Sequence, residues 1–365
     1  MIPATAAVPR LAGASGKGAL SSPLKLMIVD DSAVARAVLS RMIAPNEDLE
    51  VVALAANARE ALDALDTNRI DIVILDVEMP GETGLDILPQ ILARGAGAQV
   101  LVVSSLCEDG AETTLKALAL GAADTLPKPG TGAFGGRFAE VLAARLRRIG
   151  PARAQRDSGS AAAGDLMRSL PNGRLACIAL GASTGGLHAL NEFFALLPAR
   201  ISAPILITQH LPAEFMPFFA RQLAAASGRT VRVGETGMPL VAEEIIVAPG
   251  DAHLGLRRRG NQVTVELIDA PASSGCMPSV DVMLSALSEV YGKDALGVIL
   301  SGMGRDGLVG SARLIERGGA ILVQDEPSSS VWGMPGAVAE AGLASAALPP
   351  AEIAHYVGAR ASAWT

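Results

Sequence analysis

The sequence predicts a two-domain α/β protein in which each domain is built around a mostly parallel sheet. Three observations favour this fold class. Short apolar runs alternate with amphipathic, helix-like stretches in both halves of the chain. A length of 365 residues exceeds what one hydrophobic core usually serves. Between the halves, a segment rich in Arg, Ala, Gly and Ser interrupts the pattern.

The composition divides the chain into four segments. We expect a flexible tail over residues 1–24, a first doubly wound domain over 25–146, a linker over 147–173 and a second, Rossmann-like α/β domain over 174–362. The tail has no continuous apolar stretch of the kind that a signal peptide needs.

Composition also excludes several classes of protein. The formal net charge of −7 disfavours a nucleic-acid binder, because such a protein needs a basic surface. No apolar run reaches the roughly 18 residues that a membrane span requires. Three cysteines without metal-ligand spacing (Cys107, Cys177, Cys276) indicate reduced thiols. We therefore expect a cytoplasmic protein that neither binds nucleic acid nor inserts into a membrane.

The elements of the first half follow from its apolar periodicity. Three aliphatic runs have the pattern of parallel strands buried on both faces: residues 24–29, 70–75 and 99–103. Stretches between them, such as 32–43 and 113–120, repeat apolar residues at helical spacing. Ser32 is well placed to cap the first helix.

Polar side chains follow the strands of this first half. Asp30 and Asp31 come after one strand, Asp76 after another, Ser104 after a third and Lys128 after a further apolar run. Two carboxylates at about 4 Å repel by roughly 4 kcal/mol at an effective dielectric near 20, so a converging cluster needs a cation. Carboxylate oxygens suit Mg²⁺. Asp76 would then accept a phosphoryl group whose oxygens Ser104 and Lys128 bind. Helix caps and turns explain each residue alone, but not all five at successive strand ends.

The second half repeats the α/β pattern. Its strand-like runs lie at residues 175–180, 205–209, 244–248, 262–268, 296–300 and 320–324. In its first helix, apolar residues at 187, 190, 194 and 197 form one stripe. Polar residues again lie just past the strand ends, where open α/β sheets form their ligand crevice.

A glycine-rich turn, G-A-S-T-G-G at residues 181–186, joins the first strand of this half to its first helix. The free N–H groups of a helix start suit either a phosphate-binding loop or a serine nucleophile beside an oxyanion site. Ser183 stands where a dinucleotide-binding fingerprint needs glycine, and no Lys-Ser/Thr pair follows, as a Walker A motif requires. The turn therefore favours Ser183 as a nucleophile.

A serine nucleophile needs a base, and the chain has four histidines. His210 ends a strand that should neighbour the Ser183 strand, so we assign it as the base. His188 should point along its helix, His253 should orient a loop, and His355 lies in a helix-like stretch near the C-terminus.

The third member of a triad should be a carboxylate at another strand end. Asp306 lies in the glycine-rich turn after the strand at 296–300, from where it would fix the tautomer of His210. It is also placed to cap the helix that follows, at 307–315. The competing carboxylates are Asp251, Asp281 and Asp325.

The first half resembles a CheY-type receiver domain across residues 25–130. The acidic pair, the D-x-x-M-P-G segment, the hydroxyl position and the Lys-Pro pair all occur in the family's order. The resemblance implies that Asp76 is phosphorylated by a chemotaxis histidine kinase, and that Asp31 and Asp76 bind Mg²⁺ with help from Asp30. It also implies a cis peptide before Pro129.

The second half resembles the catalytic domain of the CheB protein-glutamate methylesterases across residues 174–345. Six stretches match in order: G-A-S-T-G-G, Q-H-L-P, I-V-A-P-G-D, P-S-V-D, S-G-M-G-R-D-G and S-S-V-W-G-M-P-G-A. The resemblance implies a triad with two further residues at the oxyanion site: Ser183, His210 and Asp306, with Thr184 and Met303. One departure is Cys276-Met277 before P-S-V-D, where the family usually has basic residues that bear on receptor contacts.

The implied activity is hydrolysis of glutamyl methyl esters, and deamidation of glutamine, on the cytoplasmic domains of methyl-accepting chemoreceptors. It would be activated by phosphorylation of the receiver and would need no cofactor for the hydrolase chemistry. The order Ser183, His210, Asp306 disfavours an α/β-hydrolase fold, whose order is Ser-Asp-His. The competing hypothesis, a non-catalytic Rossmann-like module that binds a nucleotide or a partner, leaves His210 and Asp306 without roles.

Overall fold

A computed structural model of the protein describes residues 22–104, 110–128, 136–150, 168 and 175–362. Two α/β domains lie within them, which confirms the predicted fold class. Most of the predicted tail and linker lies outside the described residues, as do Cys107 and the peptide bond before Pro129. No helix in the described part of the chain is long and apolar enough to cross a bilayer.

The first domain holds one parallel sheet. Its strands are β1 (Leu24–Val29), β2 (Leu49–Ala55), β3 (Ile72–Asp76), β4 (Gln99–Ser104) and β5 (Asp124–Pro127). Their order across the sheet is β2-β1-β3-β4-β5. Its helices are α1 (Ala33–Ile43), α2 (Ala58–Thr67), α3 (Gly84–Arg94), α4 (Gly110–Ala119) and α5 (Gly136–Ile149).

Each central strand of this sheet is buried on both faces, as its aliphatic sequence predicts. In β1, Leu26 and Ile28 pack with α1 and α5, whereas Met27 and Val29 pack with α2 and α3. The two helical layers therefore cover opposite faces of a doubly wound sheet. Ser32 Oγ accepts a hydrogen bond from the N–H of Ala35 at 3.2 Å, so it caps α1 as expected.

The second domain holds a larger sheet and a separate hairpin. The strands of the sheet are β6 (Cys177–Ala182), β7 (Ile205–Gln209), β8 (Val231–Val233), β9 (Ile245–Val247), β12 (Ala295–Ile299), β13 (Ala320–Gln324) and β14 (Ala346–Leu348), and those of the hairpin are β10 (His253–Arg259) and β11 (Gln262–Ile268). The sheet has the order β14-β13-β12-β6-β7-β9-β8 with parallel neighbours throughout.

Among the described residues, six helices cover this second sheet: α6 (Gly186–Leu196), α7 (Met216–Ser227), α8 (Val280–Tyr291), α9 (Leu308–Glu316), α10 (Met334–Glu340) and α11 (Pro350–Ser362). The sequence analysis missed strands β8, β10 and β14. Two of them have only three residues, all partly exposed, so they lack a buried apolar run. The third, β10, ends in three exposed arginines and pairs with β11 outside the main sheet.

The two domains are in direct contact through α4 of the first. Leu115 on α4 is only 1% exposed and belongs to the hydrophobic cluster of the second domain. Helix α4 contacts α6, α7 and the short 3-10 turn Ala213–Phe215. At its end, the carbonyl of Ala119 lies 3.2 Å from Nδ1 of His188 on α6. A groove of about 770 Å³ runs beside this contact, between α3, α4 and α7.

Candidate active site

Strand order brings three of the predicted site residues to one edge of the second sheet. Strand β6 lies between β12 and β7, and all three strands are parallel. The segment after β6 carries Ser183, the one after β7 carries His210, and the one after β12 carries Asp306. The carboxyl ends of adjacent parallel strands share one edge, which is where open α/β sheets bind ligands.

Backbone hydrogen bonds hold the turn that carries Ser183. Its N–H donates to the carbonyl of Ser301 at 3.0 Å, and its carbonyl accepts from the side-chain amide of Gln209 at 2.9 Å. Gly185 begins α6 with φ +75°, a conformation that favours glycine. A Cβ at Gly302 would lie 2.9 Å from Cβ of Ser183, so glycine lets the two loops approach.

His210 and Asp306 form a direct hydrogen bond. Nε2 of the ring donates to Oδ2 of the carboxylate at 2.8 Å. Because Nε2 carries the proton, Nδ1 of the neutral ring is the free acceptor. Within the described residues, Ser183 Oγ makes no hydrogen bond to this ring; such bonds are often long until substrate binds.

Asp306 is almost completely buried and held by four further donors: the Ser279 hydroxyl (2.8 Å) and the N–H groups of Val280 (2.7 Å), Asp281 (3.1 Å) and Gly307 (3.1 Å). Two of these N–H groups begin α8, whose dipole favours an anion. Burial opposes ionisation, but the bonds from His210 and the other donors outweigh it. They hold the pKa of Asp306 well below its usual range.

The structure decides against the alternative role for Asp306, which was to cap the helix that follows it in the chain. That helix, α9, has Gly307 as its N-cap and no side-chain capping bond, although Asp306 accepts the N–H of Gly307. The carboxylate points instead toward the start of α8, a helix that begins 26 residues earlier in the chain. There it accepts hydrogen bonds from Ser279, Val280 and Asp281.

The carboxylate determines the protonation of His210. Burial disfavours the charged ring, but the hydrogen bond to Asp306 and the neighbouring Cys276 side chain favour it. The net effect raises the pKa of His210 to about 9. Below that pH the ring carries two protons, so only its deprotonated fraction can accept a proton.

No described residue accepts a hydrogen bond from the backbone N–H of Thr184 or of Met303. Thr184 follows Ser183 directly, and Met303 follows Gly302, which approaches Ser183 closely. The Met303 side chain is 47% exposed, so the loop borders solvent. Unpaired donors on two loops beside a serine have the composition of an oxyanion site.

The other candidates from the sequence lie elsewhere. Among the histidines, His188 contacts Glu192 and the first domain, and His355 is exposed on α11. The competing carboxylates are not bonded to His210: Asp251 is exposed, Asp281 accepts the N–H of Gly310, and Asp325 accepts the Ser328 hydroxyl.

Sequence reasoning missed one supporting residue, Ser279. Ser279 donates to Asp306, and its own N–H donates to Nδ1 of His253 at 2.9 Å. Nε2 of His253 is 2.7 Å from the carbonyl of Ala270, so this buried histidine fixes the loop before α8, in keeping with its expected loop role. The P-S-V-D stretch contained the signal for Ser279, since serine before a helix commonly satisfies N-terminal groups.

The first domain brings together a second cluster, at the carboxyl ends of β1 and β3. Asp30, Asp31 and Asp76 each place a carboxylate oxygen within 4.8 Å of the others. Nζ of Lys128 lies 2.7 Å from Oδ2 of Asp76 and 3.3 Å from Oδ2 of Asp30. Burial raises the pKa of Asp76 despite Lys128. Ser104 ends the adjacent strand β4, but its side chain lies outside the described structure.

This cluster fits a hard divalent cation. The Lys128 ammonium contacts two of the three carboxylates, and these two aspartates are each 2% exposed. Mg²⁺ prefers oxygen ligands and binds through few carboxylates while keeping positions for phosphate oxygens and water. Asp30, Asp31 and Asp76 are the residues that would hold it.

Comparison with known proteins identifies relatives of the whole chain. The CheB methylesterase family matches residues 178–357, and the response regulator receiver domain family matches residues 26–133. A protein-glutamate methylesterase/protein-glutamine glutaminase of Caulobacter vibrioides is 40% identical over 93% of this chain and 99% of that protein. One from Azospirillum brasilense is 36% identical over 96% of this chain and 95% of that protein. The crystal structure of the Thermotoga maritima CheB methylesterase catalytic domain aligns with 33% identity and a TM-score of 0.49, covering 50% of this chain and 97% of that one.

The geometry predicts how His210 titrates. The Asp306→Asn replacement removes the negative charge, so burial should dominate and the pKa of His210 should fall from about 9 to near or below the 6.5 that is usual for histidine. NMR of the imidazole protons across pH would measure this. Ser183→Ala is the matched control and should leave the titration in place, whereas an unchanged pKa in Asp306→Asn would contradict the ion pair.

Proposed function

We propose that this chain, which belongs to the CheB methylesterase family, is a response regulator that hydrolyses glutamyl methyl esters of chemoreceptors when its receiver domain is phosphorylated. The same site would deamidate glutaminyl side chains. The observation that carries the proposal is the position of Ser183, His210 and Asp306 at the ends of three adjacent strands, with His210 bonded to Asp306. The cytoplasmic domains of methyl-accepting receptors would be the substrate, and the protein would act in the cytoplasm.

Acyl transfer to water follows from this geometry. Ser183 Oγ attacks the ester carbonyl while Nδ1 of His210 accepts its proton, and Asp306 stabilises the resulting imidazolium. The N–H groups of Thr184 and Met303 stabilise the oxyanion, at a typical value of about 3–4 kcal/mol for each donor. The imidazolium then protonates the leaving methoxide, and methanol departs. Water, deprotonated by His210, releases glutamate and restores Ser183. A glutaminyl amide would lose ammonia by the same steps.

The receiver domain would control this hydrolase. Asp76 would accept a phosphoryl group from a chemotaxis histidine kinase, and Lys128 and Ser104 would bind its oxygens. Mg²⁺ would supply positive charge for the phosphoryl oxygens when bound to the acidic cluster. Ser104 lies between β3, which ends in Asp76, and β5, which leads to Lys128. That position supports its role in sensing the phosphoryl group.

Contact through α4 supports inhibition by obstruction. Helix α6, which α4 contacts, begins three residues after Ser183, and the turn Ala213–Phe215 begins three residues after His210. A receiver docked there stands beside the mouth of the crevice and would exclude a large receptor bundle. Phosphorylation would repack the α4 face and weaken docking. A complete switch from 1:99 to 99:1 needs about 5.5 kcal/mol, so one phosphoryl group would shift the equilibrium in part.

A non-catalytic module that binds a nucleotide is the alternative. It gives no role to the bond between His210 and Asp306, and it does not require a reactive serine. Covalent labelling of Ser183 by a fluorophosphonate probe distinguishes the two functions, since only the hydrolase should react.

The first activity prediction concerns the triad. Ser183→Ala should abolish methanol release from methylated receptor. His210→Ala should reduce methanol release nearly as much, and Asp306→Asn should reduce it somewhat less. Because triad members act as a unit, the losses should not add in double variants. Near-normal methanol release by a folded His210→Ala protein would refute the assignment of the base.

The second activity prediction concerns the Mg²⁺ site of the receiver. Acetyl phosphate should label Asp76 only with Mg²⁺ present. Asp31→Ala should block labelling because it removes one of the carboxylates that would bind Mg²⁺. Mass spectrometry of the intact protein measures the added phosphoryl group. Asp63→Ala, an exposed aspartate on α2, is the control and should label normally; labelling that survives EDTA would contradict the cation site.

The third concerns the domain contact. Leu115→Ala should raise methanol release by the unphosphorylated protein, because burial of this side chain is typically worth about 2–5 kcal/mol and its loss weakens docking. Leu54→Ala, on the exposed side of β2, is the matched control.

A fragment beginning near residue 174 should be constitutively active and insensitive to phosphodonor. If both Leu115→Ala and the fragment were no faster than the unphosphorylated protein, the receiver would have to activate rather than obstruct.

A further inference from the structure

A thiol stands beside the candidate triad, where the proposed hydrolysis does not use one. Cys276 is a free, partly buried cysteine in the loop between β11 and α8. Its sulfur lies within 4.8 Å of a ring nitrogen of His210 and donates a hydrogen bond to the carbonyl of Ser274 at 3.9 Å. His210, Cys276 and Asp306 each offer one ligand atom, and these three atoms lie within 4.8 Å of one another.

We propose that His210, Cys276 and Asp306 form a binding site for a thiophilic divalent cation, with Zn²⁺ as the best match, and that this cation inhibits the hydrolase. Imidazole, thiolate and carboxylate are the three ligand types that Zn²⁺ takes in proteins, and three protein ligands leave a fourth position for water. The acidic cluster of the receiver offers only oxygen atoms and suits Mg²⁺. The two clusters therefore differ in the cation that they favour.

The geometry requires only a small adjustment. Tetrahedral Zn²⁺ with bonds of about 2.0–2.3 Å keeps its ligand atoms about 3.4–3.6 Å apart. Nε2 of His210 and Oδ2 of Asp306 are now 2.8 Å apart, so the ring must retreat by about half an ångström to admit the ion. Cys276 can follow, because its neighbour Gly275 has φ +72° and open space around it. Four other donors keep Asp306 in place.

Inhibition follows from the tautomer of His210. In the metal-free site Nε2 carries a proton for Asp306, and Nδ1 is free to act as the base. Zn²⁺ on Nε2 leaves the neutral ring with its proton on Nδ1, and Zn²⁺ on Nδ1 occupies the base nitrogen itself, so in either case the ring cannot accept a proton from Ser183. Binding also releases the thiol proton of Cys276, and a second proton from any ring that was doubly protonated. Zinc affinity should therefore rise with pH.

Direct metal binding tests the site without relying on catalysis. The full-length protein, kept in excess Mg²⁺, is titrated with Co²⁺ as a spectroscopic probe. We expect one equivalent to give a thiolate-to-cobalt charge-transfer band, which Zn²⁺ then removes by displacement. Cys276→Ser should abolish the band. Three controls should retain it: Cys107→Ser, Asp31→Ala, which disrupts the acidic cluster, and Ser183→Ala, which lacks the nucleophile.

The inhibitory part has its own readout, the rate at which a fluorophosphonate labels Ser183. Zn²⁺ should slow labelling of the wild-type protein. For Cys276→Ser, the Zn²⁺ concentration that halves the labelling rate, measured against that variant's own uninhibited rate, should be at least about 100-fold higher than for the wild type. A cobalt band that survives Cys276→Ser overturns the site. Bound zinc without slower labelling overturns the inhibition. If Ser183 does not react at all, the proposed hydrolase fails, while the cobalt titration still decides whether the metal site exists.

Discussion

A buried carboxylate at the start of a helix organises the candidate active site. Asp306 loses its hydration on burial, and that loss is offset by donors from the α8 N-terminus, from Ser279 and from His210. Removal of any one of these donors would leave the buried Asp306 carboxylate with fewer hydrogen bonds. The same bond that satisfies Asp306 fixes His210 with Nδ1 free. The hydrogen bond that stabilises the buried Asp306 carboxylate therefore also orients His210 to act as a base.

The loop before α8 connects this constraint to the rest of the domain. His253, at the start of β10, holds the N–H of Ser279, whose hydroxyl in turn contacts Asp306. The hairpin outside the main sheet therefore has a structural role in the site, although it contributes no residue to the proposed triad. The same loop places the Cys276 sulfur within 4.8 Å of a ring nitrogen of His210. A sulfur ligand next to a proposed base is the feature that distinguishes this crevice chemically from a triad of serine, histidine and aspartate alone.

The receiver meets the hydrolase on elements that begin just after the two proposed reacting residues. Helix α6 and the turn Ala213–Phe215 follow Ser183 and His210 by three residues each. A shift of α4 by a few ångströms would therefore alter access near the chemistry without moving the strands that align it. In the receiver, Lys128 contacts Asp76 within a cluster of three carboxylates. A phosphoryl group would change that balance of charge.

Sequence alone determined the two α/β domains, because parallel strands buried on both faces need runs of aliphatic residues. It also located the strand ends, because polar residues appear where each buried run stops. Strands of three partly exposed residues, such as β8 and β14, left no such signal. Sequence reasoning assigned Asp306 as the partner of His210, but position in the chain alone did not exclude Asp251, Asp281 or Asp325. Tertiary structure excludes them, because the strand order β12-β6-β7 places Asp306 beside the ring. The contacts of Ser279 with His253 and Asp306, and the approach of Cys276 to His210, also needed three dimensions. Each joins residues that are at least 26 positions apart in the chain, and no local pattern encodes such a distance.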